Sequence, residues 1–127
     1  MKIAIDHDGT ISGHPAQFNE WMKSLVELGG HEVIVLTAGA GEKPKDERPA
    51  EMMRRRNSRG FHKGTHFTAL ACVEGSEKGQ WCSDNGVQIA IDDEIGYLRD
   101  IAAKSPGTTL FHCVGPRAML RFYAPVH

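Results

Sequence analysis

The sequence lacks long apolar runs and carries almost no net charge, and each of these absences excludes a class of protein. Its longest apolar stretches are about five or six residues, far below the roughly 20 that a membrane-spanning helix needs. The residues from Met1 to Asp6 show no apolar region followed by a small-residue cleavage site, so we expect no secretion signal. A formal net charge of −1 gives no general attraction to nucleic acid or membrane. We therefore expect a globular protein with no membrane partner.

Cysteine is also scarce, and its three positions do not form closely spaced pairs: Cys72, Cys82 and Cys113. An odd number without pairing predicts reduced thiols and a cytoplasmic location rather than a disulfide framework. His62 and His66 stand four residues apart, and together with Cys72 and Cys82 downstream they raise the alternative of a zinc site. The absence of any CxxC pair favours surface histidines and core thiols instead.

Five short apolar runs alternate with segments of helical periodicity. The predicted strands are Lys2–Ile5, Glu32–Leu36, Phe67–Val73, Val87–Ile91 and Thr108–Val114. The predicted helices begin near Pro15, Glu47, Glu77 and Glu94, and a further helical turn is expected around 118–122. Nearly all-apolar strands between helices indicate a parallel sheet covered on both faces. We predict one α/β domain over residues 1–127, with a three-layer Rossmann-like sheet of about five strands and no cap domain.

Polar residues follow several of these strands at the point where each strand ends. Asp6 and Asp8 follow the first strand, Thr37 follows the second, and Asp92 and Asp93 follow the fourth. Because the carboxyl ends of parallel strands meet at one edge of the sheet, we expect these groups to converge there. Oxygen ligands from two strand ends suit Mg²⁺.

With Lys78, these residues form four segments: IDHDGT (Ile5–Thr10), VIVLTAG (Val33–Gly39), Lys78 before WCSDNGV, and IAIDDE (Ile89–Glu94). In order and in strand context they resemble the four motifs of the haloacid dehalogenase-like (HAD) phosphohydrolase superfamily. The resemblance covers most of the chain, and DxDGT after an apolar strand is its most specific part. It implies the strand order 5-4-1-2-3.

The resemblance also implies a mechanism and a set of roles. Asp6 is the expected nucleophile, and Asp8 the acid and base. Thr37 and Lys78 are expected to hold phosphate oxygens. The expected Mg²⁺ ligands are the side chains of Asp6 and Asp92 and the backbone carbonyl of Asp8, with Asp93 binding the metal through water or orienting Asp92. Gly9, Thr10, Ala38 and Gly39 are expected to border the substrate. The predicted function is that of a Mg²⁺-dependent phosphomonoester hydrolase with an aspartyl-phosphate intermediate.

The chain departs from that pattern at His7, which replaces the usual hydrophobic residue and either fills space or contacts a leaving group. Only residues 11–14 separate Thr10 from the first helix, and Val73 and Lys78 are almost adjacent, so neither common cap position is filled. An open site of this kind suits a macromolecular substrate or closure by a second subunit.

A basic segment from Lys43 to Lys63 carries eight Lys or Arg and three acids. Arg55 and Arg59 share a helical face and are predicted to contact the substrate. A phosphorylated small molecule or nucleotide is the preferred substrate; a polynucleotide 3′-phosphate end and a non-catalytic partner-binding domain are the alternatives.

Overall fold

The computed structural model describes residues 1–115, 117 and 119–124. Its strands are β1 (Lys2–Ile5), β2 (Glu32–Thr37), β3 (Ala69–Cys72), β4 (Ile89–Asp92), β5 (Thr109–Val114) and β6 (Met119–Tyr123). Its α-helices are α1 (Pro15–Leu28), α2 (Arg48–Ser58), α3 (Lys78–Asn85) and α4 (Ile95–Lys104). Short 3-10 turns precede α2 and α3, at Lys45–Glu47 and Gly75–Glu77.

All described strands belong to one sheet, with the order β3-β2-β1-β4-β5-β6. The first five are parallel to their neighbours, and β6 pairs antiparallel with β5. The predicted α/β class with a Rossmann-like layered sheet is confirmed in outline. The predicted count of about five strands, and with it the order 5-4-1-2-3, needs correction because a sixth strand extends the β5 edge.

The sixth strand lies where the sequence predicted a helical turn. Residues 119–122 are extended, from Met119 to Phe122, and residue 118 lies outside the described part of the chain. An antiparallel register that joins Leu110 to Tyr123 and Val114 to Met119 holds this segment. The prediction was wrong because pairing with an open sheet edge overrode a weak local preference for helix.

Side chains that alternate along the strands build two apolar layers. Ile3 and Ile5 point to the side where Phe18 and Met22 of α1 pack. Ala4, between them, points to the opposite side, where Leu98 of α4 packs. This period of two places helices on both faces of a parallel sheet. Within the described residues, no helix combines the length and apolar character needed to cross a membrane.

Candidate metal and phosphate site

The site begins at the loop that follows β1. Asp6 continues the strand by donating its backbone N–H to the Ile91 carbonyl at 2.9 Å. The chain then turns sharply between His7 and Ile11, with Gly9 at φ +80°. Ser12 fixes this turn, since its hydroxyl accepts the Gly9 N–H at 3.0 Å. The turn keeps Asp6 buried at the sheet edge and leaves Asp8 exposed.

Three carboxylates meet at the ends of the adjacent strands β1 and β4. Asp6, Asp92 and Asp93 each offer an oxygen, and these oxygens lie within 4.8 Å of one another. The Thr10 hydroxyl lies between two of them, 3.2 Å from Asp6 Oδ2 and 3.2 Å from Asp93 Oδ1. This oxygen cluster was predicted from the strand ends, and the parallel pairing of β1 with β4 brings it together.

Lys78 is the cation of this cluster. Its Nζ lies 2.7 Å from Asp6 Oδ1 and 2.7 Å from Asp92 Oδ2, and the side chain is 1% exposed. Desolvation alone would lower the pKa of this lysine, but the two carboxylates raise it above its ordinary value. Lys78 therefore stays protonated and ties the start of α3 to both strand ends.

The cluster is short of positive charge. Three carboxylates and one ammonium carry a formal charge of −2 in a largely buried place. Burial raises the pKa of Asp6 to about 8, even though Lys78 pulls it down. A divalent cation would balance this charge, and an all-oxygen donor set is the chemistry that Mg²⁺ takes. The residues present thus fit such an ion.

The Asp8 carboxylate does not join this cluster. Its side chain is 71% exposed, with Oδ1 3.3 Å from Nδ1 of His7, outside hydrogen-bond alignment. Asp93 takes the third position instead, because the tight turn at Gly9 sends the side chain of Asp8 outward. The expectation that the carboxylates of Asp6, Asp8 and Asp92 converge is therefore corrected: the third carboxylate is that of Asp93.

Gly9 allows the close approach of Asp93 to the loop. A Cβ at Gly9 would lie 2.2 Å from Asp93 Oδ2, so any side chain there would displace the carboxylate. The positive φ of this residue disfavours other amino acids as well. Gly9 was predicted to border the substrate; in the structure it borders a candidate metal ligand.

Asp92 and Asp93 are further oriented by neighbouring groups. The Glu94 N–H donates to Asp92 Oδ1 at 2.9 Å. The ring Nε2 of His112, on β5, lies 2.9 Å from the Asp93 carbonyl oxygen. His112 carried no signal in the sequence, because only the pairing of β4 with β5 brings it to this carbonyl.

The end of β2 supplies a buried hydroxyl. Thr37 Oγ1 accepts the Gly39 N–H at 2.9 Å, and the residue is fully buried. Within the described residues its O–H donates to no group, which leaves it available to an incoming oxygen. Ala38 and Gly39 are half-buried beside it, and Ala40 turns the chain with φ +61°.

Tyr97 is a neighbour of the site that the sequence did not reveal. The Lys78 ammonium lies 4.7 Å from the centre of its ring. The ring also packs on Gly75, where a Cβ would come within 2.3 Å of Tyr97 Cε1. On α4 this tyrosine looks like one more residue at helical spacing, so no local signal marks its contact with Lys78.

The basic segment divides into paired and unpaired arginines. Arg55 forms ion pairs with Glu42 and Glu51, so its charge is already neutralised. Arg59 is exposed beyond the end of α2. The buried arginine is Arg56, which is 1% exposed and was not singled out from the sequence. Of the two predicted substrate contacts, Arg55 is paired, whereas Arg59 forms no ion pair with the residues that the structure describes.

His7 is buried beside this segment. Burial, followed by the charge of Arg56, lowers its pKa to about 4, so the imidazole is neutral near pH 7. A neutral ring within the loop agrees with the space-filling role weighed from the sequence. It leaves the metal-ligand positions intact.

Comparisons with known proteins do not assign the chain to a family. A scan against models of known protein families found no match, and a search of curated protein sequences found none either.

Proposed function

We propose that this chain is a Mg²⁺-dependent phosphomonoester hydrolase of the HAD-like kind, acting through an aspartyl-phosphate on Asp6. The observation that carries the proposal is the convergence of Asp6, Asp92 and Asp93 with Lys78 at the ends of two adjacent strands. A nucleophilic carboxylate, hard oxygen ligands and a fixed cation are the parts that phosphoryl transfer needs.

Each residue has a place in the proposed reaction. Asp6, Asp92 and Asp93 would hold the cation, which would neutralise charge on the phosphoryl group. Lys78 and the free hydroxyl of Thr37 would hold further phosphate oxygens. Because Lys78 also offsets the charge of Asp6, it lowers the repulsion between the nucleophile and its anionic substrate.

The first step makes one bond and breaks one. An Asp6 carboxylate oxygen attacks phosphorus, and the bond between phosphorus and the leaving oxygen breaks. Asp8 gives that oxygen its proton. The exposure of Asp8 and its separation from the cluster support this role, since a proton donor must reach the outward side of the phosphoryl group.

The second step reverses the role of Asp8. Its carboxylate takes a proton from water, the water oxygen attacks phosphorus, and the bond to Asp6 breaks. Inorganic phosphate leaves, and both side chains return to their starting forms. The substrate class we propose is a small phosphorylated metabolite or nucleotide, because Arg55, one of the two arginines predicted to grip a larger polyanion, is already paired with Glu42 and Glu51.

Hydrolysis of p-nitrophenyl phosphate with and without Mg²⁺ tests the function. We expect Mg²⁺-dependent turnover that falls at least about 1,000-fold in Asp6→Asn, as expected for loss of a nucleophile. Asp84→Asn is the matched control, since Asp84 is exposed on α3 and contacts Gln80 there. Equal rates for the wild type and Asp6→Asn would remove the hydrolase proposal.

A further inference from the structure

Arg56 is a buried cation whose hydrogen-bonding groups are not satisfied. The residue is 1% exposed, and its Nε and Nη1 have no hydrogen-bond partner in the described part of the chain. No acidic side chain there forms an ion pair with it. A buried charge left without a partner destabilises a fold by several kcal/mol, and buried polar groups are nearly always paired.

The surroundings of Arg56 do not supply the missing partner. Its guanidinium carbon lies 5.9 Å from the centre of the Phe61 ring, which contributes a cation–π contact but no acceptor. Burial and the nearby charge of Arg59 lower the pKa of Arg56 to about 10, so it remains a cation near pH 7. Arg55 repels this charge as well, and the exposed Asp8 offsets only part of the repulsion, so an added anion would stabilise the guanidinium.

A cleft lies beside Phe61, the ring that Arg56 contacts, although Arg56 itself is not among the residues that line it. It has a volume of about 600 Å³ and is lined by Pro15, Ala16, Gln17, Asn19, Glu20, Arg59 and Phe61. Phe61 belongs both to this lining and to the contact with Arg56, so the cleft and the guanidinium share a wall. Arg59 brings a positive charge and Glu20 a negative charge to this lining, and the volume is enough for a small ligand.

The cleft begins where the loop that carries Asp8 ends, because Pro15 belongs to its lining and a Cβ at the preceding Gly13 would lie 2.5 Å from the Gly9 carbonyl oxygen. Among the charges around Arg56, that of Asp8 favours its protonated form. Asp8 is the residue assigned above to protonate the leaving oxygen. A leaving group on the Asp8 side of the phosphoryl group would therefore lie toward this cleft, where Arg59 and Phe61 belong to the lining.

We propose that Arg56, with Arg59, binds a second anionic group on the leaving group of the substrate, and so selects phosphate esters that carry a further phosphate or carboxylate. This inference rests on the proposed hydrolase function. The cleft beside α1 would hold the body of the leaving group. A bidentate contact from the guanidinium suits either oxyanion.

Kinetics of Arg56→Met with paired substrates tests the selection. We expect kcat/KM for a nucleoside 3′,5′-bisphosphate or 4-carboxyphenyl phosphate to fall at least about tenfold more than that for p-nitrophenyl phosphate, as expected for losing a charged hydrogen bond. Comparison of the bisphosphate with 4-carboxyphenyl phosphate shows whether the site selects a second phosphate or a carboxylate. Arg56→Lys should restore part of the preference.

A matched control lies on the exposed face of the same helix. Arg54 is 68% exposed and paired with Glu51, so Arg54→Met should leave the ratio between the substrates unchanged. If Arg56→Met lowers kcat/KM by the same factor for all substrates, the proposal is overturned. A loss confined to a 3′-phosphorylated oligonucleotide would overturn the assignment to small substrates.

Thermal unfolding distinguishes binding from a structural role. Because Arg56 is an unpaired buried charge, Arg56→Met should unfold at the same or a higher temperature than the wild type. A lower unfolding temperature together with uniform kinetic losses would identify a structural arginine.

The two proposals can fail separately. If the protein does not hydrolyse p-nitrophenyl phosphate, calorimetry with inorganic pyrophosphate in EDTA still examines the anion site. Pyrophosphate binding that Arg56→Met abolishes and Arg54→Met keeps would support that site without the hydrolase function. Equal binding by Arg56→Met and the wild type would remove the anion site.

Discussion

Replacing Lys78 by methionine should destabilise the metal-free protein strongly, and more so at high pH. The substitution keeps most of the side-chain volume and removes the ammonium that lies 2.7 Å from Asp6 and 2.7 Å from Asp92. Two carboxylates then share a buried place with Asp93 and no cation. Breaking a buried ion pair in this way costs about 3–5 kcal/mol.

The size of the effect can be expressed as a melting temperature. At about 2.1 cal/mol/K per residue, the 127 residues give an unfolding entropy of about 0.27 kcal/mol/K. A loss of about 4 kcal/mol then lowers the melting temperature by about 15 °C. Lys104→Met is the control: Lys104 is 43% exposed and pairs with Asp100 on the surface, where such pairs contribute less than about 1 kcal/mol.

The pH dependence follows from the sign of the shift at Asp6. Burial raises the pKa of this carboxyl to about 8. Above that pH the buried carboxylate is charged and destabilises the folded protein, and this destabilisation is lost as the pH falls and the carboxyl takes up a proton. Without Lys78 its pKa rises further. The difference in melting temperature between wild type and Lys78→Met should therefore be larger at pH 8 than at pH 5.

Thermal unfolding in EDTA, followed by circular dichroism, measures these differences. Mg²⁺ should reduce the difference in melting temperature between the wild type and Lys78→Met. Asp92→Asn in the Lys78→Met background should recover part of the lost stability, because it removes one unpaired charge. A Lys78→Met protein that melts within about 2 °C of the wild type at pH 8 would refute the reasoning. It would mean that the carboxylates are solvated rather than held by Lys78.

Two further expectations concern the metal. Gly9→Ala should weaken Mg²⁺ binding at least about tenfold in calorimetry, because a Cβ there meets Asp93 Oδ2 at 2.2 Å. Gly30→Ala is the control: it introduces the same backbone strain, with φ +77°, but has open space around it, so it should bind Mg²⁺ as the wild type does. Equal binding by the two variants would contradict the steric explanation. Below pH 8 the Asp6 proton must leave before the cation binds, since its pKa is raised to about 8. Mg²⁺ affinity should therefore rise up to about tenfold per unit from pH 6 and level off above 8, and a flat profile would argue against Asp6 as a ligand.

Much of the site could be predicted from local sequence, because its residues lie where apolar strands end. Asp6, Thr37 and Asp92 each follow a run that only a buried strand explains, and the carboxyl ends of parallel strands share one edge. Gly9 stands where the loop after β1 takes a positive φ, a backbone conformation that favours glycine. These inferences need only the alternation of strand and helix.

The basic segment shows where helical spacing was not enough. Spacing pointed to Arg55 and Arg59, yet Arg55 is held by Glu42 and Glu51. It did not reveal the buried neighbour Arg56, whose Nε and Nη1 have no hydrogen-bond partner among the described residues. Which arginine of a run faces inward depends on the rotation of the helix against its neighbours. That rotation is set by packing and has no local signature in a stretch of three arginines.

The sequence by itself determined the alternating α/β architecture and the place of the acidic residues, because both depend on hydrophobic periodicity along the chain. Tertiary structure alone decided that Asp93 and not Asp8 completes the carboxylate cluster, that Tyr97 lies over Lys78, and that residues 119–123 form a strand. Each of these depends on contacts between segments that are distant in sequence or on the direction of a side chain at a turn. Such contacts arise from the packing of the whole chain, which no window of neighbouring residues contains.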